Sequence, residues 1–170
     1  MSRGIETGRG ADQARDSDDA GLWLSPEQLA SWLSLVGLLV RLPAAIDSQL
    51  QRDANLGMVE YQVLAMLAKE PLRTLRMSVL ATQTSTSISR LSHLVTRMER
   101  RELIRREPDA ADGRFTNAVL TEEGMRVLAA AAPAHVAFVR NIVIDALTPE
   151  RLRRLGQDAQ RITTRIEAMG

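Results

Sequence analysis

The stretch from Ile88 to Leu120 restricts the fold more than any other part of the chain. Ile88, Leu91, Leu94, Val95 and Met98 recur at helical spacing, and at about 100° per residue they fall on one stripe. Ser89, His93, Thr96 and Arg100 fall on the opposite side, flanked by Arg90 and Arg97. This predicts an amphipathic helix with a small-polar and basic outer face. Behind it, Leu103 to Glu107 and Phe115 to Leu120 are short strand-compatible runs. The segment between them, Pro108 to Arg114, is dense in turn formers, so a two-stranded hairpin with an exposed tip is expected.

The flanking segments read as helices. Ser25-Pro26-Glu27-Gln28 supplies an N-cap, a proline in the first turn and a capping-box partner. The helix it opens is apolar around most of its circumference, through Leu29, Trp32, Leu33, Val36, Leu39 and Val40, as expected of a helix that packs against more than one partner. Pro43 should kink it or end it. A second helix is expected from about Val59 to Ala68, closed by Pro71, and a short one near Met77 to Gln83. Thr121-Glu122-Glu123 caps a further helix running towards Leu147, with Pro133 as a kink point. Thr148-Pro149 opens the last, with Leu152, Leu155, Ile162 and Ile166 at helical spacing.

With 170 residues, 45% of them hydrophobic, the chain suits one domain of ordinary size. A net charge of +1 carries no message alone, so a nucleic-acid surface must show as local asymmetry. It does: Lys69 to Arg114 holds ten Lys or Arg against six Asp or Glu, while residues 1–20 hold three Arg against five acids. Residues 1–21 have almost no large apolar side chain and read as a flexible tail. The absence of cysteine excludes disulfides, thiolate metal sites and thiol-based peroxide sensing. The N-terminus lacks a signal peptide's apolar core, and the apolar stretch Leu29 to Leu42 is interrupted and shorter than the roughly 20 residues of a spanning helix. A cytoplasmic protein with no membrane partner is the expectation. No Gly-rich phosphate loop, nucleophile elbow or metal-ligand spacing occurs, so neither an enzyme nor a cofactor is expected.

Helix, short helix, basic amphipathic helix and hairpin with Arg114 at its tip is the order of a winged helix-turn-helix. In that arrangement the second helix of the pair enters the major groove and the hairpin reaches the neighbouring minor groove or phosphates. Ser87 is placed to cap the recognition helix, turning its N-terminal amides towards the phosphate backbone. The string LATQTSTSISRLSHLVTRMERRELIRRE, the DGR of the hairpin and VLTEEG at 119–124 resemble the MarR family of regulators over roughly residues 25–168. The resemblance implies a mainly α fold with a small β-hairpin wing, and a homodimer with intertwined terminal helices on a palindromic operator of double-stranded DNA. It also implies a small-molecule effector, aromatic or phenolic, bound between the dimerisation and DNA-binding parts. The division that follows is a dimerisation helix at 22–55, a winged helix-turn-helix at 56–122 and dimerisation helices at 123–170.

Position by position, the resemblance places Ser87, Ser89, Arg90, His93 and Arg97 on the recognition helix, Arg114 at the wing tip, and Asp112 as the acid that positions the wing. Arg97 has a second reading, a salt bridge to Asp112. His93 is either a base or phosphate contact or a solvated side chain. The run Arg100, Arg101, Arg105 and Arg106 is either a solvated surface or a set of phosphate anchors. His135 reads as a core or interface residue rather than a ligand, and Trp32 and Tyr61 are candidates for an effector pocket. Two departures from the family stand out: Glu102 where glycine is common, and Thr84 with Ser85 where an apolar and a small residue are usual. The competing reading is a winged-helix module that docks protein without binding DNA specifically.

Overall fold

The computed structural model describes residues 23–169; the expected tail at 1–21 lies outside them. The chain divides at Leu42–Pro43 into two units. Helix α1, Pro26–Ala54, begins in the first unit with the expected capping box. Ser25 N–H donates to Gln28 Oε1 at 2.9 Å, and Gln28 N–H donates to Ser25 Oγ at 3.2 Å. In this unit Leu29, Trp32, Leu33, Leu38, Leu39 and Val40 are exposed, a band of apolar side chains facing solvent.

Pro43 does not end the helix, which runs on to Ala54. An interior proline forfeits one backbone hydrogen bond and costs about 3 kcal/mol, which the packing of the following turns offsets: Leu50 is fully buried, and Ile46 packs against the core. Because the helix continues, α1 is long and apolar enough to span a membrane by length and composition, as is Glu122–Ile144. This departs from the expectation drawn from Leu29 to Leu42 alone.

In the second unit, helix α2 (Met58–Lys69) contributes Val63, Leu64 and Leu67 to the core. Strand β1 (Thr74–Arg76) leads directly into α3 (Met77–Gln83), and α4 follows at Ile88–Arg100. Strands β2 (Ile104–Pro108) and β3 (Thr116–Leu120) form the expected hairpin, with Ile104 opposite Leu120 and Pro108 opposite Thr116. Strand β1 adds itself antiparallel to β3, giving a three-stranded sheet in the order β1-β3-β2. That third strand was not expected, since three residues are too few to show an alternating pattern.

Helix α5 (Glu122–Val139) starts at the Thr121 cap and passes through Pro133 into a π-helical turn, Arg140–Ile144. Helix α6 (Pro149–Glu167) closes the chain, capped by Thr148. The core gathers Leu50, Leu56, Leu64, Leu80, Leu91, Met98, Leu103 and Ile104, with Leu128 and Ala131 of α5. Burying each large side chain contributes about 1.5–3 kcal/mol. α6 has no buried residue; Leu155, Ile162 and Ile166 are exposed on it.

Candidate nucleic-acid interface

One helix, α4, and the hairpin behind it carry the residues expected to meet DNA. In the turn between α3 and α4, Ser85 takes φ +50°, a left-handed conformation. The two polar residues that depart from the family pattern fit it locally. Thr84 donates to the Leu80 carbonyl twice, from its backbone N–H at 2.9 Å and from Oγ1 at 2.7 Å, and Thr86 N–H closes onto Ala81 O at 2.9 Å. Ser87 then caps α4, its Oγ accepting from Arg90 N–H at 3.4 Å, so the first turn's amides point outward.

Leu91, Val95 and Met98 are fully buried, which fixes the rotation of α4 and turns the opposite face out. Ser87, Ser89, Arg90, His93 and Arg97 are all exposed on it. Among the described residues, Arg90, His93 and Arg100 have no side-chain partner in any hydrogen bond or ion pair. Ile88, expected in the apolar stripe, is 53% exposed, because the core ends one turn short of the helix start.

Arg97 does not reach Asp112. Its guanidinium stands 3.9 Å from Glu60, a long contact that leaves the arginine mostly exposed. Glu60 is a buried acid that ties α2 to α4, and its partner Arg101 extends the link to the end of α1. Its Oε2 accepts from Gly57 N–H at 3.0 Å and from Arg101 Nη1 at 3.2 Å, while Arg101 Nη2 donates to Asn55 O at 2.8 Å. Arg106 is likewise engaged, pairing with Glu99 at 2.9 Å and donating to Ser92 O and Thr96 Oγ1 on α4. Half of the four-arginine run is therefore structural. Arg105 pairs with Glu107 on its own strand at 2.6 Å, and Arg100 stays free among the described residues.

At the wing tip, Asp112 grips Arg114. Nε of Arg114 lies 3.0 Å from Oδ1 and Nη2 lies 2.6 Å from Oδ2, with the arginine side chain 85% exposed. These hydrogen bonds, foremost that of the Arg114 side chain, hold the Asp112 carboxyl below its ordinary pKa. The contact joining the wing loop to the body, beyond the Arg106 bonds of β2 to α4, belongs to a different acid. Asp109 accepts from Arg76 Nε at 2.8 Å, and from the backbone amides of Ala111 at 2.9 Å and Asp112 at 3.2 Å. The Arg76 bond is the leading cause that lowers its pKa to about 2. Neither Arg76 nor Asp109 was singled out from sequence, where each is one more charged residue in a basic or turn-rich stretch.

A cavity of about 250 Å³ opens between α1, α2 and α5 within the second unit, lined by Ile46, Leu50, Tyr61, Met66, Lys69 and His135 among others. Tyr61 and His135 pack ring to ring, centroids 4.4 Å apart. Buried Gln49 donates through Nε2 to Asp53 at 2.9 Å, which leaves Oε1 as the acceptor for His135 Nδ1–H at 3.0 Å. Burial lowers the His135 pKa and raises that of Tyr61, favouring the neutral form of each. Tyr61 lines this cavity; Trp32, 49% exposed on the first unit, is not among its lining residues.

The fold and this surface together define a winged helix-turn-helix DNA-binding protein. Residues 54–114 match the model of the MarR family. The transcriptional regulator HosA of Escherichia coli is 35% identical over 103 residues, covering 61% of this chain and 68% of that protein. The crystal structure of AbsC, a MarR family transcriptional regulator from Streptomyces coelicolor, matches with a TM-score of 0.82 and 38% identity, over 86% of this chain and 98% of that one. Sco3205, a MarR family regulator from the same organism crystallised in complex with DNA, matches with a TM-score of 0.82 and 41% identity, over 85% and 94% of the two chains. The chain belongs to the MarR family and is a DNA-binding transcriptional regulator. The family is one of transcription factors rather than enzymes.

Proposed function

We propose that this regulator is a cytoplasmic, ligand-responsive repressor that binds a palindromic operator as a homodimer. The observation that carries the DNA-binding site is the outer face of α4, where Arg90 and His93 stand exposed with no side-chain partner among the described residues. Ser87, Ser89, Arg90, His93 and Arg97 read the major groove or its phosphates, and Arg114 reaches the minor groove beside it. Two such helices in a dimer sit one turn of DNA apart, about 34 Å.

Exposed apolar side chains on α1 and α6 support dimerisation through the terminal segments 22–55 and 123–170, leaving 56–122 to bind DNA. The same burial on a partner subunit accounts for the apolar length of α1 without a membrane. An aromatic or phenolic effector fits the cavity beside Tyr61 and His135, with apolar walls and Lys69 as a cation for an acidic group. Such a ligand acts by favouring a spacing of the two DNA-binding lobes that does not match the operator.

The test is an anisotropy titration against the DNA flanking the protein's own gene, at two salt concentrations, with excess competitor. Tight, competitor-resistant binding that weakens steeply with salt is expected. The Arg90→Ala and Arg114→Ala variants should each lose about 1–3 kcal/mol of binding. Full affinity in the double variant defeats the site assignment, and salt-insensitive association favours a protein-docking module instead.

A further inference from the structure

Arg76 occupies a junction in this fold. It is the last residue of β1, where it stands opposite Asn117 of β3, and it is also the N-cap residue of α3. Its guanidinium leaves the helix-turn-helix and meets the wing loop at two points. Nε donates to Asp109 Oδ2 at 2.8 Å, and the guanidinium carbon lies 4.6 Å from the centre of the Phe115 ring.

Asp109 and Phe115 are the two ends of the wing loop. Asp109 N–H donates to Phe115 O at 3.0 Å, closing the loop at its base. Inside it, Asp109 Oδ1 accepts from the Ala111 and Asp112 amides, and Phe115 N–H donates to Asp112 O at 3.0 Å. The carboxylate thus uses one oxygen to shape the loop and the other to tie it to Arg76. Its side chain is only 12% exposed, in contrast to Arg114 at 85%. Asp112, by comparison, orients Arg114 within the tip and makes no hydrogen bond or ion pair with α3 or α4 among the described residues.

We propose that Arg76 and Asp109, with Phe115 stacked on the guanidinium, form a clamp that fixes the wing against the helix-turn-helix and so sets how Arg114 meets DNA. The clamp rests on the reading of Arg114 as a DNA contact. Without it the hairpin still forms from β2 and β3, but its loop is joined to the rest of the domain only through the strands. The wing then loses orientation, which a protein–DNA contact needs before it yields affinity. Arg76 and Asp109 are positioning residues in this scheme, acting through Arg114.

Asp109→Asn retains a carbonyl oxygen for the two loop amides while removing the acceptor charge, and Arg76→Gln removes the cation and the stacked plane. Both are made in the full chain, singly and together, beside Arg114→Ala. Operator affinity is read by anisotropy, and amide hydrogen exchange is read across residues 109–117. The expected result is a loss of about fivefold or more in affinity for each clamp variant, on the scale of one lost contact. Exchange in the loop speeds up while the α4 amides stay protected. The double variant loses no more than either single one, and Arg114→Ala costs less in the Asp109→Asn background than in the parent.

Loop exchange unchanged in both single variants overturns the clamp. So does an affinity that falls for Arg76→Gln but holds or rises for Asp109→Asn, which would make Arg76 a direct phosphate contact. If Arg114→Ala alone leaves affinity intact, the wing-contact reading fails and takes the functional half of the clamp with it; the exchange data still decide its structural half.

Discussion

Glu60 accepts a hydrogen bond from Arg101 at 3.2 Å across 41 residues of chain, tying the start of α2 to the end of α4. The same carboxylate takes the Gly57 amide, one of the donors a helix start leaves open. Replacing it with alanine removes both bonds from a buried position and strands the amide. Glu60→Ala should therefore lose about 1–3 kcal/mol, and Glu60→Gln, which keeps an acceptor for Gly57, should lose less. At about 2–4 °C per kcal/mol for a chain of this size, scanning calorimetry separates the two. Equal melting temperatures for parent and alanine variant would remove Glu60 from the stabilising contacts.

Glu102 sits at φ +58°, in the left-handed region, one residue after the C-cap of α4. Its backbone carries the load there: the amide donates to Glu99 O at 2.9 Å, and the carbonyl accepts from Thr121 Oγ1 at 2.6 Å. Its exposed side chain makes no hydrogen bond or ion pair among the described residues. An L-residue pays about 1–2 kcal/mol for this conformation and glycine does not, though glycine gives back part of the gain as entropy in the unfolded chain. Glu102→Gly should raise the melting temperature by about 1–4 °C. A fall would mean that the side chain has a role the geometry does not display.

Much of this was legible because the relevant signals are local. Ser25, Ser87, Thr121 and Thr148 each announce a helix start within four residues, and each caps one in the structure. Periodicity placed Leu91, Val95 and Met98 in the core but misplaced Ile88, because a repeat does not report where the partner surface ends. Strand β1 was missed because its partner, β3, lies more than forty residues away and its own three residues have no pattern. Distance in sequence also hid Arg101, Arg106 and Arg76. An arginine bound to an acid elsewhere in the chain looks the same in sequence as one aimed at phosphate.

Asp109 makes the wing sensitive to acid. Its pKa falls from the ordinary 3.8 to about 2, chiefly through the Arg76 hydrogen bond and then the Ala111 amide. A carboxyl with a lowered folded-state pKa binds fewer protons folded than unfolded, so its contribution is complete above 3.8 and is lost as pH falls towards 2. An asparagine amide in its place cannot titrate. Asp109→Asn should melt below the parent at neutral pH, and the two curves should converge as pH is lowered from about 4 to 2. A gap that stays constant over that range would show that the carboxylate adds nothing through its charge.

Gly124, the last residue of the VLTEEG string, is held where a side chain cannot go. A Cβ built there would lie 2.0 Å from Leu103 O and 2.8 Å from Leu120 Cδ1. The leucine side chain can turn aside, but the carbonyl cannot. It accepts from Thr121 N–H at 3.2 Å and lies 2.9 Å from Thr121 Oγ1, whose one hydrogen it shares with Glu102 O, and that same hydroxyl oxygen accepts from Gly124 N–H at 2.9 Å. The threonine cap draws the first turn of α5 onto the chain entering β2, and only glycine permits that approach. To admit alanine, α5 must move off the sheet and break its own cap. Overpacking usually costs about 1–3 kcal/mol, and a rigid backbone contact belongs at or above the top of that range. Gly124→Ala should unfold at markedly lower denaturant than the parent. Gly113→Ala at the wing tip, where the added carbon meets nothing within 4 Å, should match the parent in the same titration. If both variants unfold with the parent, the close approach of α5 to Leu103 is not a requirement of the fold.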